Sequence, residues 1–163
     1  MQIVVVGAGI SGLLAARRLS EAGHDVVVFD KGRSSGGRCA TRRVGDSTFD
    51  HGAQFFTVRS DEFASLVHEW LSEGIVREWC RGFSTQDGHP RYCGVQGMTS
   101  ISKHLAQGLN VRYSSMVFSL EQLSSLWRVY LDDGTSVECE HVVLTCPVPQ
   151  LMALIVNTEI VVP

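Results

Sequence analysis

Three glycines open this chain at a spacing suited to one task, the close handling of an anion. Gly7, Gly9 and Gly12 form a G-x-G-x-x-G pattern directly after the β-branched run at residues 2–6. A missing side chain serves a different purpose at each position. Gly7 permits a tight turn, Gly9 lets the backbone approach a diphosphate, and Gly12 lets a helix lie close to the strand. Ile10 and Ser11 complete the turn and start that helix. Amide N–H groups in a first helical turn lack intrahelical acceptors, so together with the positive end of the helix dipole they attract negative charge. Asp30 stands 18 residues beyond Gly12, where an acid ending a second strand accepts hydrogen bonds from a ribose and disfavours a 2′-phosphate. A lone glycine pattern is weak; strand before, helix after and acid beyond make it a dinucleotide site.

The next stretch, Asp30-Lys31-Gly32-Arg33-Ser34-Ser35-Gly36-Gly37-Arg38, supplies a second clamp. Gly36 and Gly37 let the backbone rise beside a dinucleotide. Arg38 offers a planar donor fork to phosphate oxygens, each charge-assisted bond contributing about 1.5–3 kcal/mol. Residues 31–43 hold five basic side chains, at 31, 33, 38, 42 and 43, and no acid. That gives a local positive field, beginning at Lys31, in a chain of net charge −3. Arg42 and Arg43 add to that field without a motif assigning them a role, and a solvated basic loop is the bland alternative.

An acid ending the second strand and a Gly-Gly-Arg after a short loop resemble the second fingerprint of the FAD-binding amine-oxidase superfamily. An ordinary NAD site lacks that clamp, so the resemblance implies FAD. Phe49-Asp50-His51-Gly52-Ala53-Gln54-Phe55-Phe56-Thr57 is similar to the Asp-x-Gly-Ala-Gln-aromatic segment of renalases and their bacterial relatives. Residues 94–101 and 143–150 share that likeness, which extends over roughly residues 2–155. It implies that Ala53, Gln54 and Phe55 pass close to the flavin ring, with Gln54 placed to hydrogen-bond a ring edge. It also implies that Val117 is the position giving backbone contacts to the adenine. From the residues alone, the alternative is that Phe55 and Phe56 simply alternate as core and surface positions of a strand.

Positioning these groups requires an α/β framework. The periodicity predicts a helix over 11–22, stopped by Gly23, and a second strand over 26–29. A helix over 60–72 carries an apolar stripe of Phe63, Leu66, Val67, Trp70 and Leu71. Short strands are expected around 76–79 and 91–93, with Trp70 and Trp79 as core. After a helix over 99–107 come strands at 110–120, 126–131 and 136–145, a β-meander whose last segment, 141–145, returns to the main sheet. A helix starts at Pro147. The expected fold is a Rossmann-like FAD-binding domain, parallel sheet plus β-meander, over residues 1–58 and 95–163. Residues 59–94 are part of an inserted α+β substrate domain.

Composition narrows the partners. The chain has 163 residues, with 14 Lys plus Arg against 17 Asp plus Glu, which argues against a dedicated nucleic-acid binder. No apolar run reaches the ~20 residues needed to span a bilayer, so no membrane partner is expected. Five cysteines without a C-x-x-C pair read as reduced thiols in the cytoplasm. The six histidines show no metal-ligand spacing with them, so no metal is expected.

The resemblance implies an FAD-dependent oxidoreductase. In it a flavin takes hydride from a small-molecule substrate such as a reduced nicotinamide dinucleotide and passes the electrons to molecular oxygen. No side chain stands out as a general base, so no catalytic residue is named. An amine oxidase or desaturase-type flavoprotein is the alternative. Members of the family run to about twice this length, and the late Gly-Asp or Gly-Glu motif that closes over their flavin is not found. A fragment, or a truncated non-catalytic cofactor-binding protein, therefore stays open. Oligomeric state is not legible.

Overall fold

The structure, a computed structural model, describes residues 1–83, 88–156 and 158. Its first half runs β1 (Gln2–Val6), α1 (Ile10–Glu21), β2 (Asp25–Phe29), β3 (Thr41–Val44), β4 (Ser47–Asp50), α2 (Asp61–Ser72), β5 (Val76–Arg81) and β6 (Pro90–Gly94). There follow α3 (Thr99–Ala106), β7 (Asn110–Arg112), β8 (Val117–Gln122), β9 (Trp127–Leu131), β10 (Ser136–Cys139), β11 (His141–Leu144) and α4 (Val148–Ile155). Two compact units emerge, Met1–Gly37 with Leu105–Pro163, and Arg38–His104. Residues 38–58 and 95–104, given to the cofactor domain by the sequence reading, thus fall in the second unit.

The first unit is built on a parallel sheet in the order β11-β1-β2-β7. β1 can sit in its centre because consecutive valines tolerate burial on both faces. Val4, Val6 and Phe29 join a core with Val117, Leu120, Val129 and Leu131 of the meander and Leu154 and Ile155 of α4. At the alternating positions Ile3, Val5 and Val28 are buried on the opposite face. Helix α1 packs on β1 and β2 through its buried residues Leu13 and Ala16. It ends as its sequence requires, with Gly23 in the left-handed region at φ +84.

The meander β8-β9-β10 is antiparallel, and here the structure corrects two strand expectations. Residues 110–120 form two strands. Between them Ser114, at φ +51, and Ser115 donate their amides to the carbonyls of Gly32 and Asp30. Residues 136–145 likewise divide at Glu140, whose N–H donates to the Gln2 carbonyl. In both cases the chain passes from one sheet to the other, and the second passage is the return of 141–145 to the main sheet that the sequence led us to expect.

In the second unit β3 and β4 form a hairpin closed at Gly45, φ +58. Arg42 and Arg43 belong to β3 and are exposed. Helix α2 begins at Ser60, whose Oγ accepts from Phe63 N at 3.3 Å, and places Asp61 and Glu62 in its first turn, favourably for the helix dipole. Trp70 is 1% exposed and meets the rings of Phe56 and Phe63 edge-on. Trp79, expected in the core, is 45% exposed. The β5–β6 register shifts between Glu78 and Cys80, and the residue this bulge leaves unpaired is Trp79. Among the described residues no helix is long and apolar enough to cross a membrane.

Candidate dinucleotide site

At the end of β1 the chain turns at Gly7, φ +108, and its amide donates to the Phe29 carbonyl at 2.8 Å. A Cβ at Gly12 would overlap the Gly7 carbonyl oxygen and lie 2.8 Å from Thr145 Oγ1. The helix therefore approaches the turn as closely as glycine allows. Gly9 is the N-cap of α1, with no side-chain capping bond, and a Cβ there would meet nothing within 4 Å. The amides of Ile10, Ser11 and Gly12 head the helix beside this open space, an arrangement that stabilises an anion.

Asp30 closes the turn from β2. Its Oδ2 accepts from Ala8 N at 2.6 Å and its Oδ1 from Gly32 N at 2.7 Å. The carboxylate is thus a latch between the two loops, while each oxygen keeps acceptor capacity for a further donor. Gly36 N donates to the Ala8 carbonyl at 3.0 Å, and Gly37, φ +52, lies against Gly9. Ser35 is buried there with its Oγ unpartnered among the described residues. Lys31 is exposed; its charge opposes the effect of burial, which pushes the Cys146 thiol up. The first unit brings residues 7–12, 30 and 36–37 together. Val117 belongs to the meander ladder opposite Leu131, its side chain in the core.

The remaining expected residues belong to the second unit. Arg38 is exposed in a short 3-10 turn, Gly37–Cys39. Its carbonyl accepts from Ala53 N at 2.8 Å, and a Cβ on Gly52 would overlap that carbonyl. Ala53 and Gln54 are exposed. Phe55 is half-buried, its ring centroid 5.8 Å from Trp79 and 5.5 Å from Phe83.

Asp50 anchors this segment. Its Oδ1 accepts from Thr41 Oγ1 and, at 2.9 Å, from Met98 N. Thr41 and Thr99 exchange two further bonds, Thr41 N to Thr99 Oγ1 at 2.7 Å and Thr99 N to Thr41 Oγ1 at 3.0 Å. Residues 52–54 thus leave from a point pinned to the start of α3. Sequence reasoning missed this knot and Thr145; paired threonines 58 positions apart give no local signal.

A model of the NAD(P)-binding Rossmann-like domain matches residues 5–70, and the model described as flavin containing amine oxidoreductase matches residues 62–160. The chain belongs to the flavin-containing amine oxidoreductase family. That membership bears out the superfamily resemblance, the Rossmann-like fold and the flavin cofactor expected from the sequence.

Mouse renalase is 29% identical over 94% of this chain and 49% of its own length, so the chain spans about half of that relative. The zeta-carotene-forming phytoene desaturase of Myxococcus xanthus is 53% identical over 31% of this chain and 10% of its own. Among solved structures, putrescine oxidase bound to putrescine superposes with a TM-score of 0.70 at 16% identity, covering 90% of this chain and 58% of that one, a likeness of fold.

Proposed function

We propose that this chain holds FAD and belongs to a renalase-like oxidoreductase acting on a reduced small molecule of the dihydronicotinamide type. The observation that carries the reading is Gly9, where an uncapped helix N-terminus faces space left open by an absent side chain. Similarity to mouse renalase across 94% of the chain supports it.

Gly7, Gly9, Ile10, Ser11 and Gly12 would hold the diphosphate through backbone amides. Asp30, already oriented by Ala8 and Gly32, would use its remaining lone pairs on a ribose. Gly37 and Arg38 would close over the phosphates with Lys31 adding positive charge, and Val117 would offer backbone to the adenine. Ala53, Gln54 and Phe55 would border the flavin ring, following Asp50, which is held by Thr41 and Met98. When bound, FAD supplies the two-electron chemistry, taking hydride from the substrate and delivering the electrons to molecular oxygen. The protein's part is orientation and electrostatics. The five cysteines are free, which supports a cytoplasmic setting.

A second reading, amine oxidase or desaturase, is supported by the match to the flavin containing amine oxidoreductase model and by the likeness to phytoene desaturase. The test is the visible spectrum of the purified chain after reconstitution with FAD, followed by anaerobic addition of a dihydronicotinamide or of putrescine. Bleaching by the dihydronicotinamide is expected. Bleaching by putrescine alone supports the second reading, flavin retained without bleaching by either supports a non-catalytic chain, and a colourless protein sinks the proposal.

A further inference from the structure

Every described residue with a positive φ is a glycine except one, Ser114 at φ +51. An L side chain is disfavoured in that region, and serine is not among the types that tolerate it best, Asn, Asp and His. The backbone conformation has a clear use. It aims two consecutive amides at the loop after β2, Ser114 N donating to the Gly32 carbonyl at 2.8 Å and Ser115 N to that of Asp30 at 3.0 Å, while Asp30 N donates to the Arg112 carbonyl at 2.9 Å. Glycine would hold the same turn without strain. The bonds therefore account for the backbone and leave the side chain unaccounted for, and strain kept where glycine would relieve it points to a task for that side chain.

Ser114 is exposed, and its hydroxyl has no hydrogen-bond partner among the described residues. Its neighbours are not free in this way: Ser115 Oγ donates to the Tyr113 carbonyl at 3.1 Å, and Ser35 Oγ is shut off from solvent. Through its own amide Ser114 is tied to Gly32, whose amide donates to Asp30 Oδ1 at 2.7 Å. One free hydroxyl is thus held a single residue away from the carboxylate that faces the ribose in the reading above, and both belong to the first unit.

We propose that Ser114 is an adenosine-binding residue, its hydroxyl joining Asp30 in recognising the adenosine half of the dinucleotide. Asp30 can only accept hydrogen bonds, whereas a hydroxyl also donates, so the pair supplies the donor that a ribose oxygen or an adenine ring nitrogen needs. The inference rests on the cofactor reading above, which puts a ribose at Asp30 and the adenine beside the Val117 backbone.

The experiment titrates ADP, which carries the adenosine and the diphosphate without a flavin, into the full chain by calorimetry as wild type, Ser114→Ala and Ser114→Gly. Melting curves are recorded for all three, and FAD content is read separately from the visible spectrum. Both variants are expected to bind ADP about five- to tenfold more weakly than wild type. Ser114→Gly adopts φ +51 without strain and is expected to melt at or above the wild-type temperature, so its weaker binding is not weaker folding. Ser114→Ala, which keeps the Cβ and its restriction of the turn, decides the same question if the glycine form melts early. Wild-type ADP affinity in Ser114→Ala, wild-type affinity in Ser114→Gly, or no ADP binding by wild type tighter than about 1 mM would each overturn the proposal. A wild-type chain that binds ADP but not FAD counts against the flavoenzyme reading alone, and the comparison of ADP affinities still decides Ser114.

Discussion

One added methyl group should do two unrelated things at two glycines three residues apart. At Gly12 a Cβ would overlap the Gly7 carbonyl oxygen and stand 2.8 Å from Thr145 Oγ1. The first obstacle is backbone and cannot rotate away. Replacing Gly by Ala inside a helix ordinarily contributes about 1 kcal/mol of stability through propensity. Overpacking in a tight site costs about 1–3 kcal/mol, and more where backbone must move. The clash wins, and Gly12→Ala is expected to destabilise by about 2 kcal/mol, roughly 4–8 °C in Tm for a chain of this size.

At Gly9, φ −77 suits alanine and nothing lies within 4 Å. Gly9→Ala should cost less than about 1 kcal/mol while filling the space proposed for the diphosphate. Its expected effect is a loss of FAD affinity of about a hundredfold with an almost unchanged melting curve. Differential scanning fluorimetry and FAD titration of both variants separate the outcomes. A Gly12→Ala protein that melts with wild type, or a Gly9→Ala protein that binds FAD normally, refutes the reasoning.

Three further expectations follow from the geometry. Asp30→Asn turns an amide NH2 toward one of the two backbone donors that the carboxylate now accepts; urea denaturation should show a loss of about 2 kcal/mol. Arg38→Ala should weaken FAD binding far more than Arg43→Ala, because Arg43 lies on the exposed hairpin strand; equal effects in a flavin titration would place the clamp elsewhere. Burial pushes the thiols of Cys39, Cys93, Cys139 and Cys146 up. The unfolded chain therefore ionises first, so stability is fully present below the unfolded thiol pKa of about 8.5 and is lost as pH rises beyond it. Cys139→Ala should flatten that decline between about pH 8 and pH 10, and a slope identical to wild type would remove Cys139 from the account.

The glycine turn was legible because its logic is local: absent side chains, an adjoining strand and helix, and an acid at the next strand end. Asp30 was recognised as an acceptor, but its engagement with Ala8 and Gly32 depends on the path of a loop that no periodicity describes. The hairpin at 41–50 escaped notice because Arg42, Arg43, Thr48 and Phe49 are exposed, so neither face supplies an apolar alternation. Trp79 was misplaced because a bulge resets the face of every residue beyond it, and composition does not announce a bulge.

Thr145 carries a consequence for synthesis. Its hydroxyl donates to the Val6 carbonyl at 2.9 Å and stands beside Gly7 and Gly12, and the contact with the Gly7 carbonyl spans 138 residues. At about 5–20 residues per second, a ribosome that has already released the glycine turn needs roughly 7–28 seconds to deliver its closing partner. Through that interval β1 and α1 are present without the strand that seals them. The glycine turn is therefore made well before it can be finished, and a chaperone or a dinucleotide reaching the nascent chain would meet it open.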